Sequence, residues 1–590
     1  MLSHNDSYEK EFTGEDSIVV LPFRNMSSDK ENEYFSDGIT EELINALTKV
    51  DGLNVIARTS AFTFKGKDID LREVGAQLNV SYILEGSVRK SGERVRVSVQ
   101  LIKASDSFHI FSEVYDRELK DIFQVQDDIS KKVVQKFTEI IGLPKTDKHR
   151  ITSSTDDVEA YDLYLKGRFN LSKGSLEAAK AAIQYFDAAL KKDSDFVLPL
   201  TGLSACYTFL GGSGLMSKDE AFDKAKQYAL KTTSLDDSIA ETHLALANSF
   251  FWHDWDFENA GASIKKAIQL SPGTSSIHGF NAVYLMAVGK MDEALIEAGL
   301  AIKLDPLSLK EKFHLGEILF RSERYVEAIE IFNQVLTENP FFKQASILKA
   351  WGHLFMGEME TAEEIFLSIP VTAEESITFY GGLAMAFHKR NNTELVLDCL
   401  KGFKSAINDG YSHWLNYNYT LIYRALCETE RMFEFLSKCL DEKLTPLIFI
   451  QADPVWNEFR DDARFIELVK RTFDPGKKDR IITINADTNE KLEINLRQLV
   501  YIEAQENYSR IVWLDDGRIK DKLLRATLKN IENQIPDSNV LRCHRSYMIN
   551  LDYDFVILGN SNGYRLKSEH FQETIPISRN LGKEIVARLR

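Results

Sequence analysis

The chain has 590 residues, 44% of them hydrophobic and 27% charged, and a formal net charge of −17. At roughly 100–200 residues per domain, this length predicts about three to five domains. The first twenty residues lack the apolar core of a secretory signal, and no stretch reaches the roughly 18 uncharged apolar residues of a membrane span. Five scattered cysteines without Cys-x-x-Cys pairs argue against a zinc knuckle and favour a reducing compartment. We therefore expect a cytoplasmic protein without a membrane partner.

Charge is unevenly distributed along the chain. Residues 477–590 hold 19 Lys and Arg against 16 Asp and Glu, whereas the other 476 residues hold 53 against 73. A near-neutral to basic tail on an acidic body favours a nucleic-acid-binding module in the tail. Small charge excesses are also common on ordinary surfaces, so charge alone leaves both interpretations open.

Residues 17–140 are predicted to form an α/β domain with a mixed sheet. The apolar run Ser17–Phe23 predicts a buried strand, and Glu33–Val50 places apolar residues four apart, as in an amphipathic helix. Alternating apolar residues in Arg94–Lys103 predict a strand with one buried face. The remaining predicted elements are strands at Asn54–Ala57, Ser81–Arg89 and Phe108–Tyr115, helices at Asp70–Leu78 and Ile122–Phe137, and a hairpin turn at Ser91-Gly92-Glu93.

Three motifs in this region carry a resemblance to a known domain. They are Val20-Leu21-Pro22-Phe23, the stretch Tyr34–Leu43 and the stretch Tyr82–Val88. Together they resemble the amino-terminal α/β domain related to TolB and to the flagellar protein FlgO, which often precedes helical repeats in bacterial regulators and cyclases. The resemblance implies a fold far more than a function.

Residues 155–473 have an almost wholly helical pattern that repeats every 34 residues. Residues that recur at this spacing are Pro272, Pro306 and Pro340, and Ala260, Ala294, Ala328 and Ala362. Small side chains let two helices approach closely, and proline ends a helix. The period is that of tetratricopeptide repeats, so we predict an all-α solenoid. Asp453-Pro454-Val455-Trp456, followed by Phe465, is expected to begin a terminal capping helix pair.

A polar, turn-rich linker at Asp474–Asp479 precedes a mostly β module over residues 480–590. One helix is predicted at Thr527–Gln534, with Pro536 beyond its end. The predicted strands are Ile481–Ile484, Lys491–Asn495, Leu499–Ala504, Ser509–Trp513, Met548–Ile549, Phe555–Leu558, Tyr564–Leu566 and Glu573–Ile577. The whole chain is thus expected to be multidomain: an α/β domain, an α-solenoid and a β-rich tail.

Three blocks of the tail identify a second resemblance. Val500–Tyr508, Leu541–Asn550 and Ile575–Asn580 resemble, in order and spacing, the LytTR DNA-binding domain over about residues 480–588. The resemblance implies a β-rich fold that places loops, rather than a recognition helix, in successive major grooves. It also implies double-stranded DNA as a partner and a homodimer on pairs of short DNA repeats.

The resemblance places the DNA-binding residues in three loops and their surroundings. They are Asn507, Tyr508, Ser509 and Arg510; His544, Arg545 and Ser546; and Ser578, Arg579, Asn580 and Lys583. Arg545 and Arg579 are the main candidates for reading bases, because an arginine donates two hydrogen bonds to guanine O6 and N7. Phosphate neutralisation by Arg510, Arg525, Lys529 and Lys583 would make binding depend on salt.

Some residues of these blocks also have purely structural interpretations. Arg542 and His544 fit capping or pairing within the sheet as well as DNA contact. Cys543 lies in an alternating strand and is expected to be a buried, inert thiol, and Trp513 and Tyr547 are expected in the core.

The motifs of common enzyme classes are absent from the sequence. It contains no phosphate-binding GxxxxGK[ST] loop, no HExxH and no GxSxG. We therefore expect no enzymatic activity, no cofactor and no metal. The first hypothesis is a bacterial transcriptional regulator whose repeats and α/β domain receive a signal by binding a protein, peptide or small ligand. The alternative is a tetratricopeptide scaffold or adaptor without sequence-specific DNA binding.

Overall fold

The computed structural model describes residues 17–29, 32–50, 52–141, 155, 157–213, 215–369, 379–408, 415–473, 481–488, 490–515, 518–535, 540–551, 553, 555–560, 563–568, 571–578, 581 and 585. The chain divides into two units, Met1–Phe473 and Asp474–Arg590. Within the described residues, no helix combines the length and the apolar character needed to cross a membrane.

A six-stranded mixed sheet forms the centre of the α/β region (residues 17–141). Its elements are β1 (Ser17–Val20), β2 (Arg24–Asn25), α1 (Glu33–Leu47), β3 (Asn54–Val55), α2 (Arg58–Phe62), α3 (Leu71–Leu78), β4 (Tyr82–Ser91), β5 (Arg94–Lys103), β6 (Phe108–Glu118) and α4 (Ile122–Ile141), with a 3₁₀ turn at Leu119–Asp121. The strand order is β3-β1-β4-β5-β6, and β2 pairs with β4. Strand β1 runs parallel to β3 and β4, whereas β4, β5 and β6 are antiparallel. The predicted mixed sheet is confirmed.

Alternation along β5 explains why helices cover this sheet. Val95, Val97, Val99 and Leu101 are all buried and pack in one cluster with residues of α1 and α4. On the other face, Val19 and Ile83 pack with residues of α2 and α3. Gly92, whose φ of +57° suits a residue without Cβ, lies in the turn between β4 and β5.

The solenoid (residues 157–473) is a stack of antiparallel helix pairs. Its helices are α5 (Val158–Leu171), α6 (Leu176–Lys192), α7 (Leu198–Gly212), α8 (Lys218–Leu235), α9 (Ala240–Asn248), α10 (Phe257–Leu270), α11 (Ser275–Ala287), α12 (Met291–Leu304), α13 (Leu309–Arg321), α14 (Tyr325–Glu338), α15 (Lys343–Phe355), α16 (Met359–Ser368), α17 (Phe379–Lys389), α18 (Thr393–Asn408), α19 (Leu415–Ala425), α20 (Thr429–Asp441) and α21 (Ala463–Phe473). A π-helical stretch, Ser249–Asp254, extends α9, and 3₁₀ turns occupy Thr445–Phe449 and Pro454–Phe459.

The 34-residue period has a direct physical basis. Ala260, Ala294, Ala328 and Ala362 occupy equivalent places on α10, α12, α14 and α16, and all four are fully buried. In one unit, a Cβ built on Gly316 of α13 would lie 2.6 Å from the Phe332 ring of α14, so the two helices are in close contact there. The odd-numbered helices α11, α13, α15 and α17 also contact one another in succession and so form the inner layer. The predicted tetratricopeptide-like solenoid is confirmed.

The end of the solenoid differs from the expected capping pair. Only α21 is an α-helix there, because Pro454–Phe459 forms a 3₁₀ turn that begins with a proline. The Asp453 carboxylate caps this turn by accepting a hydrogen bond from the Val455 amide at 3.0 Å.

The α/β region and the solenoid belong to one unit because they share buried polar contacts. Asp305, which follows α12, accepts hydrogen bonds from the Ser60 amide at 3.0 Å and from the Ser60 hydroxyl at 2.5 Å. The same hydroxyl accepts from the Leu307 amide at 2.9 Å. Burial raises the pKa of Asp305, and the hydrogen bonds from Ser60 oppose that rise. A second contact joins Gly273 N–H to the Thr48 carbonyl at 3.0 Å.

In the described residues of the unit Asp474–Arg590, the strands form three sheets, and an α-helix lies between the fifth and the sixth strand along the chain. Its elements are β7 (Ile481–Asn485), β8 (Lys491–Asn495), β9 (Leu499–Gln505), β10 (Tyr508–Asp515), β11 (Arg518–Leu524), α22 (Leu528–Gln534), β12 (Val540–His544), β13 (Tyr547–Asn550), β14 (Val556–Asn560), β15 (Gly563–Ser568) and β16 (Phe571–Pro576), with a 3₁₀ turn at Leu496–Gln498. The central sheet has the order β11-β10-β9-β13-β12. Strands β14-β15-β16 form a second sheet, and β7-β8 form a hairpin.

Most predicted elements of the tail are present, but β11 was not predicted, and β12 was indicated only by the strand position assigned to Cys543. Both lie at the edges of the central sheet, where only one neighbour is needed. The sequence of β11 is rich in charged side chains, as expected for an exposed edge strand and unlike the apolar runs used to predict the others.

Removal of the Asp305 carboxylate tests the contact between the α/β region and the solenoid. We expect Asp305→Ala to lower the free energy of unfolding by about 2–3 kcal/mol, because it leaves the buried Ser60 amide and hydroxyl without their acceptor. Urea denaturation followed by circular dichroism measures the change. Asp292→Ala, an exposed acid in the first turn of α12, is the control and should cost at most about 1 kcal/mol. Equal losses in the two variants would contradict this role of Asp305.

Candidate nucleic-acid interface

The first predicted loop is the tip of the β9–β10 hairpin. Gln505 pairs with Tyr508, so Glu506 and Asn507 form a two-residue turn, in which Glu506 has a φ of +54°. Asn507 is exposed and Tyr508 is 42% exposed. The two side chains predicted at this tip are therefore on the surface.

The second predicted loop is the β12–β13 hairpin, and local contacts fix its backbone. His544 pairs with Tyr547, which leaves Arg545 and Ser546 at the tip. The Arg542 guanidinium donates to the Arg545 carbonyl at 2.6 Å, and the Ser546 amide donates to His544 Nδ1 at 3.3 Å. The Arg545 residue itself is exposed. Arg542 thus stabilises the hairpin, which is the structural role considered for it beside DNA contact.

Backbone hydrogen bonds connect the second hairpin to the strand that precedes the first loop and to the start of the third loop. The Ala504 amide of β9 donates to the Ser546 carbonyl at 2.8 Å, and β9 pairs with β13. The Ser578 amide donates to the Cys543 carbonyl at 2.8 Å. We call the tips Asn507-Tyr508 and His544–Ser546, together with Ser578, the three-loop surface. Arg579, Asn580 and Lys583 lie outside the described residues.

Two residues of the first loop are less available for contact with DNA than the resemblance implied. Ser509 is fully buried, and its hydroxyl donates to the Ala526 carbonyl at 2.7 Å, so its side chain supports the fold and is not on the surface. Arg510 is one-quarter exposed and lies 3.2 Å from Asp521 and 3.9 Å from Glu503.

The sequence did not single out Glu503, which organises charge next to this surface. Its carboxylate accepts a hydrogen bond from the Tyr547 hydroxyl at 2.5 Å in addition to its approach to Arg510. Its place four residues before Asn507 is visible in the sequence. Its partners depend on the pairing of β9 with β10 and β13 and could not be read there.

Burial shifts the pKa values of two side chains at this site. Burial, and then the positive charge of Arg545, lowers the pKa of His544. Burial raises the pKa of Cys543 to about 12.

Among the described residues, no group of three or more His, Cys, Asp or Glu side chains could hold a metal ion.

Two family models match parts of this chain. Residues 489–590 match the LytTr DNA-binding domain. Residues 14–132 match the second domain of HilA/YgeH-like transcriptional regulators. The first match contains the three-loop surface. The second covers the α/β region, for which the resemblance to TolB and FlgO therefore stays a prediction.

Relatives match the chain over parts of their length. A protein named Putative adenylate cyclase 3, from Rhizobium meliloti, is 36% identical over 238 residues, which are 40% of this chain and 40% of that protein. Transcriptional regulator HilA from Salmonella typhimurium is 22% identical over 341 residues, which are 56% of this chain and 59% of that protein. The chain thus spans less than two thirds of the length of these relatives.

Solved structures show likeness to two parts of the chain. A tetratricopeptide repeat protein from Parabacteroides merdae is 16% identical with a TM-score of 0.33, covering 45% of this chain and 99% of that one. A LytTr DNA-binding domain from Bacillus cereus is 18% identical with a TM-score of 0.16, covering 19% of this chain and 97% of that one.

The protonation of His544 can be measured directly. We expect its imidazole to titrate below the ordinary pKa of about 6.5 and to be neutral at pH 7, with Nδ1 free to accept from Ser546. Because the folded-state pKa is lowered, stability from this arrangement is lost as the pH falls through it. NMR titration of labelled histidine measures the pKa, with His544→Gln assigning the resonance. Arg545→Gln should raise this pKa and Arg565→Gln, on β15, should leave it unchanged. An unshifted pKa in the parent protein would refute the expectation.

Thiol reactivity distinguishes a buried Cys543 from a redox switch. Cys427 is exposed, whereas Cys206, Cys399, Cys439 and Cys543 are buried. With iodoacetamide at pH 8 we expect Cys427 to react at least tenfold faster than Cys543, since alkylation needs an accessible thiolate. Mass spectrometry of the native chain gives the rates. The Cys427→Ser variant and the urea-unfolded chain are the controls, and rapid native modification of Cys543 would overturn the inert-thiol interpretation.

Proposed function

We propose that this chain is a bacterial transcriptional regulator whose residues 480–590 bind promoter DNA. The single observation that carries the proposal is the match of residues 489–590 to the LytTr DNA-binding domain. The match to the second domain of HilA/YgeH-like regulators supports the same role. In this proposal residues 17–140 and 155–473 are an α/β domain and a solenoid that receive a signal.

Arg545 is the proposed reader of base edges in the major groove. It is exposed at a hairpin tip whose backbone is held by Arg542 and by the Ala504 amide. The Arg545 side chain is exposed, and among the described residues no carboxylate is found in an ion pair with it, which fits donation to guanine O6 and N7. We assign a second reading position to Arg579, and contacts with bases or phosphates to Asn507, Tyr508, His544, Ser546, Ser578 and Asn580.

Arg510 and Lys583 are proposed to neutralise phosphates rather than to read bases. Arg510 forms ion pairs with Asp521 and Glu503, which already neutralise part of the charge of its guanidinium. Contacts of this kind supply affinity that falls with salt, because binding releases counterions from DNA. We propose that the protein acts in the cytoplasm as a homodimer on DNA, and that the solenoid binds a protein or peptide partner.

The output proposed here is DNA binding and not nucleotide cyclisation. The match to the relative named as a cyclase covers 40% of this chain. Residues 489–590 match a DNA-binding domain. Incubation of the purified chain with ATP and Mg²⁺ should yield no cyclic AMP above background.

Loss of both proposed reading arginines tests the function. Genome-wide mapping of bound DNA supplies a promoter fragment, and fluorescence anisotropy at about 150 mM salt compares it with random duplex. Arg545→Ala with Arg579→Ala should reduce the preference for the promoter by on the order of 100-fold, since each bidentate contact contributes about 1–3 kcal/mol of discrimination.

The matched control is Arg565→Ala with Lys567→Ala, which removes the same charge from β15. We expect this variant to keep the preference and to lose only general affinity. If the parent chain shows no preference over random duplex, the scaffold alternative replaces the proposed function.

A further inference from the structure

The segment between α20 and α21 crosses the inner layer of the solenoid. We call residues 444–460 the strap. Many apolar side chains of the strap are buried, among them Leu447, Ile448, Phe449, Ile450, Ala452, Val455 and Trp456. A connection that only ran over the surface would leave such side chains in water. The strap instead buries them against the solenoid, as a bound peptide ligand would.

Polar contacts tie the strap to the carboxyl ends of inner helices far away in the sequence. Gln451 donates from Nε2 to the Ala287 carbonyl at the end of α11, at 2.7 Å. Arg321, at the end of α13, donates to Asp453 at 2.9 Å. Arg424, at the end of α19, donates to Glu458 at 3.2 Å. The strap therefore connects early and late units of the stack.

The charges of the inner surface and of the strap are complementary. The Arg321 and Arg424 side chains are only 8% and 10% exposed, and the Nε atom of each has no hydrogen-bond partner among the described residues. A buried guanidinium is costly unless a carboxylate lies against it. Arg321 has Glu317 on its own helix, at 3.2 Å, and gains Asp453 from the strap.

Aromatic side chains complete the recognition. The Arg321 guanidinium lies 4.7 Å from the centre of the Phe449 ring. The centre of the Trp252 ring lies 6.2 Å from the centre of the same Phe449 ring. Trp456 is fully buried and packs near Tyr417 at 6.5 Å. The inner surface thus accepts a carboxylate, a proline turn and aromatic rings in a fixed arrangement, which Asp453-Pro454-Val455-Trp456 supplies.

We propose that the inner surface of the repeats is a recognition surface for an acidic, aromatic peptide segment, and that its occupant is the chain's own strap. Because the strap is covalently attached, its effective concentration is about millimolar or higher, and an external peptide of the same chemistry is excluded while the strap is bound. A protein partner of the repeats then binds outside this surface. This inference does not depend on DNA binding.

A peptide supplied in trans tests the proposal in the full chain. Residues 446–459 are replaced by a Gly-Ser sequence of equal length, and a fluorescein-labelled peptide of residues 443–461 is added. We expect saturable one-to-one binding by the replaced chain and at least tenfold weaker binding by the parent chain. The Asp453→Asn peptide should bind at least tenfold more weakly, and the Asp461→Asn peptide, altered at an exposed acid, should bind like the parent peptide. A replaced chain that keeps its helical circular dichroism but does not bind the peptide overturns the proposal.

Hydrogen exchange decides the matter if the replaced chain does not fold. In the full-length Asp453→Asn variant we expect faster exchange in the strap and at the carboxyl ends of α11 and α13, compared with Asp461→Asn. These ends are 132 or more residues from Asp453 in sequence, so only a shared contact surface links them. Faster exchange confined to residues adjoining position 453 would show that the strap is not bound as proposed.

Discussion

The close approach of paired helices is the constraint on which the larger unit depends. Fully buried alanines at a 34-residue spacing, such as Ala294 and Ala328, allow each outer helix to reach its inner partner. Gly316 shows how little room remains, because a Cβ there would meet the Phe332 ring. A stack built by this contact leaves one row of loops at each end of the inner helices. Other parts of the chain pack against both rows.

Different parts of the chain hold the two rows. The α/β region binds at the loops that lead into the inner helices, through Ser60 with Asp305 and Thr48 with Gly273. The strap binds at the opposite ends, through Gln451 and Asp453. Nearest-neighbour contact alone makes a repeat array only locally cooperative. Contacts between distant units connect repeats that do not touch one another.

Local patterns predicted most of this fold, and long-range partners account for what they missed. The period of the prolines and alanines predicted the solenoid, and alternation in Arg94–Lys103 predicted β5 with the bounds it has. The edge strand β11 was missed because its charged side chains need no buried face. Asp453-Pro454-Val455-Trp456 was expected to begin a capping helix pair, since nothing in its sequence reveals that Arg321, 132 residues earlier, is its partner.

The candidate site shows the same division at the level of single charges. Arginines in loops are visible in the sequence, from which Arg545 was expected to read bases and Arg510 to neutralise phosphates. Strand pairing adds the neighbours that the sequence could not show, because it brings Arg510 beside Asp521 and Glu503. Among the described residues, no carboxylate is found in an ion pair with Arg545. Arg542 donates to the backbone carbonyl of Arg545, so this contact fixes the loop without using the Arg545 guanidinium. Rigid support of an exposed guanidinium is what the base-reading role proposed for Arg545 requires.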